Sequence, residues 1–240
     1  MQCPHCGADN PEGVTYCIRC ARPLTAAPAG VPAAPTAAGN PWETPGQPLV
    51  QAWLDTVKAV AITPADFFRG LPPTTGDLLR PFLFALICGL IGQIFAYIYN
   101  AILNIGLFGV QQMPMMGATT LLGLILFPFG LAIGLAIATL IFHLLLSLFG
   151  AANQPLEATY RVIAYSTVNM LANVVPFIGW LIGAIWVLFL YIVGFREVHR
   201  TTTGKAALAV LVPTALICLC VLLLVGVAGV ALFRAFQQGL

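Results

Sequence analysis

Long apolar runs dominate the chain from Pro81 onward, and they limit what it can fold into. Crossing the hydrocarbon of a bilayer takes about 20 mostly apolar residues. Five runs approach or exceed this length, at 81–104, 119–149, 158–174, 177–195 and 206–233. Because every backbone polar group in lipid must be hydrogen-bonded within the protein, these runs must be helices. The sequence therefore predicts an all-α integral membrane protein with five transmembrane helices.

The low content of charged residues supports the same class. Only 8% of the residues are charged, whereas soluble domains carry about 25%. The mean hydropathy is +0.94, so the chain lacks the polar groups needed to cover a surface facing water. Its formal net charge of +2 is too small to indicate a nucleic-acid partner.

The second apolar run is longer than one bilayer crossing requires. At about 1.5 Å per residue, a helix over 119–149 is longer than the hydrocarbon is thick. Pro128 lies inside the run and lacks a backbone N–H. We therefore expect a kink at Pro128, or a first third that is tilted or lies outside the hydrocarbon.

Two shorter segments precede the membrane part. Residues 1–22 carry four cysteines, and residues 23–48 contain seven prolines with few large apolar side chains. Proline interrupts helices and sheets, and such a composition cannot form a core. The sequence predicts a small N-terminal module followed by a disordered Pro/Ala-rich tether over 23–48.

Residues 49–80 are predicted to form short interfacial helices. Apolar residues recur at helical spacing over 49–62, at Val50, Trp53, Leu54, Val57 and Ala61. This helix lies either on the membrane face or on the cytoplasmic surface of the protein itself. Thr63 and Pro64 are typical of a new helix start. Phe67 and Phe68 would then enter the interface, with Arg69 at the headgroups.

The basic residues predict the orientation of the membrane domain. With a cytoplasmic N-terminus, seven of them lie on the cytoplasmic side: Lys58, Arg69, Arg80, Arg161, Arg196, Arg200 and Lys205. Only Arg234 then lies on the opposite side, together with the C-terminus. Because cytoplasmic loops carry an excess of Lys and Arg, this orientation is favoured. The membrane would be the cell membrane of a prokaryote, or a Golgi or ER membrane in a eukaryote.

The cysteines of the N-terminal module have the spacing of a metal site. Cys3, Cys6, Cys17 and Cys20 form two C-x2-C pairs with ten residues between them. Two such pairs supply a closed tetrahedral four-thiolate zinc site. A pair of disulfides disagrees with a reducing cytoplasm, and no βαβ pattern supports a redox motif. The sequence predicts a structural Zn²⁺ in a small zinc ribbon, which is too short to fold on a core alone.

The charges of this module disfavour nucleic acid as a partner. Four thiolates around one zinc ion leave a net charge of about minus two. Asp9 and Glu12 add to it, and only Arg19 and Arg22 offset it. Without basic residues to neutralise phosphates, a protein partner or a purely architectural role is favoured.

No catalytic motif occurs in the membrane part. It contains no aspartate after Asp77, no H-E-x-x-H, no G-x-S-x-G and no Walker loop. Glu157 and Glu197 are its only acids, and neither has a catalytic partner at a recognisable spacing. The sequence therefore predicts a protein that is not an enzyme.

Polar side chains inside the predicted spans form an intramembrane polar site. Arg161, Tyr165, Asn169 and Asn173 recur every four residues along the third span. His143 lies on the second span and is the ionisable residue placed deepest in an apolar run. Either these residues pair between helices and hold the bundle together, or they line a path for a proton or solute.

Small residues also recur every four positions in two of the spans. Gly130, Gly134 and Ala138 share a face of the second span, and Gly179 and Gly183 share a face of the fourth. This spacing lets helix backbones approach closely. The pattern alone leaves open whether the contacts lie within one chain or between chains.

Three segments resemble the Yip family, the Ypt/Rab-interacting membrane proteins. They read WLDTVKAVAITPADFFRG, YRVIAYSTVNML and PFIGWLIGAIWVLFLYIVGFREVHRTTTGKAALAVLVP, and they span roughly 51–215. The resemblance implies five spans with a cytosolic N-terminus, and its eukaryotic members act in vesicle trafficking with small GTPases. The family's third-span tyrosine matches Tyr165, but a proline often found after it is replaced here. The first 22 residues resemble the short zinc ribbons of prokaryotic membrane proteins.

Together these features predict a non-enzymatic membrane scaffold or adaptor with a cytoplasmic zinc-ribbon docking module. The alternative is a component of a small-solute or ion transporter or channel that uses the polar residues of spans two and three.

Overall fold

The computed structural model of the protein describes residues 2, 8, 9, 11, 40–108 and 113–238. The chain divides into two compact units, Met1–Thr36 and Ala37–Leu240. In the first unit, an isolated antiparallel bridge pairs Gln2 with Asp9. The four cysteines predicted to bind zinc lie outside the described residues.

In the described residues of the second unit, all regular secondary structure is helical. A 3-10 helix, Pro41–Glu43, precedes two short helices, and long helices follow. The α-helices are α1 (Leu49–Ile62), α2 (Pro64–Gly70), α3 (Leu79–Phe108), α4 (Met113–Leu148), α5 (Leu156–Ser166), α6 (Gly179–Val198) and α7 (Thr203–Gln238). A second 3-10 helix, Thr167–Val174, continues directly from α5.

Four helices in the described part of the chain are long and apolar enough to cross a membrane. The apolar stretches are Leu79–Leu103 of α3, Thr120–Leu148 of α4, Gly179–Val198 of α6 and Thr203–Val230 of α7. They match the first, second, fourth and fifth predicted spans, and α4 continues through Pro128. For the described residues, the prediction of an all-α membrane protein is confirmed, with four candidate spans.

The predicted third span, 158–174, has a different structure. It is not one span-length α-helix, because the α5 helix ends at Ser166 and eight residues of 3-10 helix follow. Thr167, Val168, Asn169, Asn173 and Val174 are weak helix formers, which favours this change. A 3-10 helix rises about 2.0 Å per residue, against 1.5 Å in an α-helix, so the segment covers more length than its residue count suggests.

The segment 156–174 runs beside α3 and in the same direction. Near its start, the Tyr160 hydroxyl donates to the Leu78 carbonyl oxygen over 2.9 Å. At its end, the Tyr99 hydroxyl donates to the Val174 carbonyl oxygen. Leu78 and Tyr99 are about 30 Å apart along a helix. The segment therefore extends along most of the apolar part of α3.

Helices α4 and α6 run antiparallel to this segment. His143 of α4 contacts Thr159, while Gly194 and Gly179 of α6 pack against Val162 and Ala172. Arg80, Glu157, Glu197 and Lys205 all lie at one end of this arrangement, which we call the charged end. The opposite ends of the apolar stretches, near Leu103, Thr120 and Gly179, form the uncharged end.

Folded structure begins earlier than the sequence indicates. The predicted tether extends to residue 48, but Asn40 and Trp42 are buried and Pro41–Glu43 is helical. The tether boundary at residue 48 is therefore corrected: among the described residues, Asn40–Glu43 already contacts the membrane domain. This happens because Trp42 and Glu43 contact residues that follow far along the chain.

Helices α1 and α2 pack on the membrane domain. Helix α1 buries Ala52, Thr56 and Val60, whereas Val50 and Leu54 on its predicted apolar face are exposed. Pro64 begins α2 as expected, although the Thr63 side chain bonds back to Ala59 instead of capping α2.

Candidate functional site

A short segment, Asn40–Glu43, binds at the charged end of the helices, and we call it the anchor segment. The Asn40 side chain accepts a hydrogen bond from the Trp42 backbone N–H, which caps the 3-10 turn, and Pro41 takes its first position. The same N–H lies 3.0 Å from the Thr56 hydroxyl. The Trp42 indole N–H donates to the Arg80 carbonyl oxygen over 2.6 Å. These bonds attach the segment to α1 and α3.

Aromatic rings surround the anchor segment. The Trp42 ring contacts Phe84 edge-on at a centroid distance of 6.2 Å. Phe84 and Phe67 lie 5.1 and 5.3 Å from the Tyr165 ring. Phe67 and Phe68, which were expected to enter the membrane interface, are buried in the protein core instead. That prediction is corrected, because the Phe67 ring packs against Tyr165 and the Phe68 ring packs against Gly194.

A buried ion pair joins the anchor segment to α5. The Arg161 guanidinium donates to Glu43 and to the Thr75 hydroxyl, with 2.7 Å for each bond. The Tyr165 hydroxyl donates to the other oxygen of Glu43. The Arg161 side chain is fully buried and that of Glu43 is 15% exposed. Burying a charge away from water is costly unless the charge is paired. The ion pair with Glu43 therefore offsets the desolvation cost of the buried Arg161 guanidinium.

A second polar cluster links α4, α5 and the residue after α6. The Thr159 hydroxyl lies 2.8 Å from His143 Nδ1 and 3.0 Å from His199 Nε2. The Gln154 backbone N–H donates to His199 Nδ1, so that nitrogen is the acceptor. His199 Nε2–H then donates to Thr159, whose hydroxyl donates to His143 Nδ1. When both imidazole rings are neutral, each of these three hydrogen bonds has one donor and one acceptor.

Burial fixes the charge state of His199. It lowers the pKa of His199 from the ordinary 6.5 to about 4, and repulsion from His143 acts in the same direction. Between these values, the unfolded chain binds a proton that the folded protein excludes. The contribution of neutral His199 to the free energy of unfolding is therefore complete above about pH 6.5, and it is lost as the pH falls toward 4.

We expect the midpoint of thermal unfolding in detergent to fall by roughly 5 °C between pH 7 and pH 5. The His199→Gln variant keeps a donor for Thr159 but cannot titrate, so its midpoint should change less. His5→Gln, which alters a histidine of the N-terminal module, should respond as the unaltered protein does. Equal acid sensitivity in His199→Gln would contradict the assignment.

The remaining predicted polar residues serve packing. The Asn169 amide donates to the Gly183 carbonyl oxygen over 3.3 Å, and Asn173 lies where Gly179 meets the second 3-10 helix. Arg161 and Tyr165 instead meet Glu43. The structure thus divides the predicted polar site between the anchor segment, the His199 cluster and the contact with α6.

The two stripes of small residues have different surroundings. A Cβ atom on Gly179 would overlap the Ala172 carbonyl oxygen. A Cβ atom on Gly183 would lie 2.8 Å from the Asn169 carbonyl oxygen. Gly130 and Gly134 have no atom within 4 Å of such a Cβ. The fourth-span stripe therefore makes close contacts within the chain, while the second-span stripe borders open space.

Sequence reasoning missed Glu43, Thr159 and His199. Glu43 lies in a proline-rich stretch, and its partner Arg161 is 118 residues away. Thr159 and His199 lie at the ends of apolar runs, where polar residues are common. The one available signal was that a buried Arg161 requires an acidic partner somewhere in the chain.

No metal-binding group is found among the described residues: three or more His, Cys, Asp or Glu do not converge there. Of the described cysteines, Cys88 is buried, and Cys218 and Cys220 are exposed on α7.

The fold and the buried clusters define a multi-pass helical membrane protein. Residues 58–225 match the Yip1 domain, and the chain therefore belongs to the Yip1 domain family. Residues 1–25 match a domain of unknown function, DUF7577. No curated protein gives a significant match, and neither does any solved structure.

Proposed function

We propose that the protein is a non-enzymatic membrane scaffold or adaptor, in which an N-terminal zinc ribbon docks a protein partner in the cytoplasm. The observation that carries this proposal is how the polar residues of the membrane domain are used. Arg161, Tyr165, His143 and Asn169 all bond to other parts of the chain. These residues hold the helices in position, as a scaffold requires.

The proposed topology has five crossings, with the N-terminus in the cytoplasm. The segment 156–174 covers about 30 Å of α3, close to the thickness of the hydrocarbon. The charged end carries Arg80, Arg196 and Lys205, which favours a cytoplasmic location. The exposed Val50 and Leu54 of α1 would then contact the cytoplasmic face of the bilayer. Labelling of a cysteine placed at Thr202 by an impermeant reagent applied outside would contradict this orientation.

Four thiolates with the spacing of Cys3, Cys6, Cys17 and Cys20 would hold one Zn²⁺ and thereby stabilise the module. The bridge between Gln2 and Asp9 supports this part of the proposal, because these residues bracket the first cysteine pair.

We expect the purified protein to contain about one zinc ion per chain, measured by elemental analysis. The Cys17→Ser, Cys20→Ser double variant should lose the zinc, together with the proteins labelled from a proximity enzyme fused to the N-terminus. Cys218→Ser, which alters an exposed cysteine of α7, should retain both.

Deletion of residues 23–38 is a second control, because it shortens the predicted tether and keeps the cysteines. Labelled partners that persist in the double cysteine variant would contradict a docking role for the module. Zinc retained by that variant would contradict the ligand assignment.

A further inference from the structure

Helix α4 crosses between its neighbours at an angle that opens a cleft at the charged end. Near the uncharged end it meets α3, where Phe127 packs on Gly89 and Tyr97 packs on Gly123. Near the charged end it meets α6 instead, with the Phe142 and Tyr191 rings 5.1 Å apart. Helix α4 therefore leaves α3 as it approaches the charged end.

The space that remains has a volume of about 430 Å³, and we call it the charged-end cleft. It is bordered by α4, the start of α5 and the loop before α3. Its residues are Gly76, Leu78, Ala132, Ala136, Thr139, Leu140, Leu156, Glu157 and Tyr160.

The walls of the charged-end cleft are apolar and lie at the depth of the membrane. Ala132, Ala136 and Leu140 are exposed on successive turns of α4, within its apolar stretch. They form a channel about 12 Å long that runs with the helix. The cleft fits a single acyl chain.

The mouth of the cleft carries a carboxylate. Glu157 accepts hydrogen bonds at Oε1 from the backbone N–H groups of Thr75 and Gly76, over 2.7 and 3.0 Å. Within the described part of the chain, no basic side chain forms an ion pair with it. Tyr160 bonds to Leu78, which directly precedes the apolar stretch of α3. Glu157 therefore lies at the level of lipid headgroups. The Arg161 guanidinium shares the Thr75 hydroxyl with Glu157 but forms its ion pair with Glu43, so the three side chains together have a formal charge of minus one.

We propose that the charged-end cleft binds one phospholipid of the adjacent leaflet, with an acyl chain along Ala132, Ala136 and Leu140 and an ammonium headgroup at Glu157. The apolar walls of the cleft shield the acyl chain of the lipid from water. The carboxylate attracts a primary ammonium, which can donate hydrogen bonds to it, and repels an anionic headgroup. The ligand class is an aminophospholipid such as phosphatidylethanolamine.

Native mass spectrometry of the full chain, released from detergent, tests this binding. The protein is titrated with phosphatidylethanolamine or phosphatidylglycerol that have identical acyl chains. We expect one retained phosphatidylethanolamine per chain, bound about tenfold more tightly than phosphatidylglycerol. Ala136→Phe fills the cleft and should abolish retention of both lipids. Ile137→Phe, at an exposed neighbour outside the cleft, should behave as the unaltered protein does.

The Glu157→Gln variant distinguishes the contribution of the headgroup to binding from that of the acyl chain. Its amide oxygen can still accept from Thr75 and Gly76, so the loop is retained while the charge is lost. We expect the tenfold preference to disappear in this variant while one lipid is still retained. Unfolding midpoints of all the variants are measured alongside, because Ala136 and Ile137 are exposed and their changes should leave the fold intact.

Several results would overturn the proposal. Equal retention of lipid by Ala136→Phe and by the unaltered protein would place the lipid elsewhere. A preference for phosphatidylglycerol, or a preference unchanged in Glu157→Gln, would contradict the headgroup contact. A change of oligomeric mass in Ala136→Phe would indicate that a second copy, and not a lipid, occupies the cleft. None of these results bears on the zinc ribbon or its partners.

Discussion

The Glu43→Ala substitution is expected to lower the free energy of unfolding by about 3 kcal/mol. It removes the only acid bonded to Arg161 among the described residues. The Arg161 guanidinium would remain buried without the carboxylate to which it is bonded, and losing that partner is what makes breaking a buried ion pair costly. Thermal or SDS-induced unfolding of the purified protein in detergent measures the effect.

An exposed ion pair supplies the matched control. Asp66 and Arg69 lie 3.0 Å apart, but their side chains are 74% and 61% exposed. Asp66→Ala should therefore change the free energy of unfolding by less than about 1 kcal/mol. In addition, Arg161→Met combined with Glu43→Gln removes both charges and should recover part of the loss. An equal effect of Glu43→Ala and Asp66→Ala would contradict the role of the buried pair.

The Gly92→Ala substitution should also destabilise the protein, by about 3 kcal/mol. A Cβ at this position would overlap the backbone carbonyl oxygen of Met170. Backbone cannot rotate away as a side chain can, so α3 and the second 3-10 helix would have to separate. Unfolding in detergent, measured as a shift of the midpoint, reports the change.

Gly134→Ala is the matched control, since it makes the same chemical change in the middle of another membrane helix. A Cβ at Gly134 has no atom within 4 Å, and alanine favours helix by up to about 1 kcal/mol relative to glycine. The two substitutions should therefore act in opposite directions. A loss of stability of similar size in both would show that close packing at Gly92 is not the cause.

The positions of the long helices could be read from the sequence because each depends on local composition. A run of about 20 apolar residues gives a helix in lipid whatever its neighbours are, and 177–195 corresponds closely to Gly179–Val198. Proline at 64 likewise marked the start of α2. The family resemblance rests on such segments, and it is confirmed over residues 58–225.

Features that depend on distant residues could not be predicted. Apolarity over 158–174 indicates a helix but does not distinguish an α-helix from the mixed α and 3-10 segment beside α3. The anchor segment has no periodicity, and its order comes from contacts with Arg80 and Arg161. The His143, Thr159 and His199 cluster combines three separate elements. Such sites require knowledge of which helices are neighbours.

The contact between Glu43 and Arg161 also sets an order for biosynthesis. The anchor segment is synthesised 118 residues before its partner. At roughly 5–20 residues per second, translation reaches Arg161 about 6 to 24 s after Glu43. During that interval Trp42 can contact its partners on α1 and α3, but Glu43 lacks Arg161 and Tyr165 because α5 does not yet exist. Formation of the buried ion pair that completes the attachment of the anchor segment is therefore a late event of assembly, and it occurs only after the residues of α5 have been inserted.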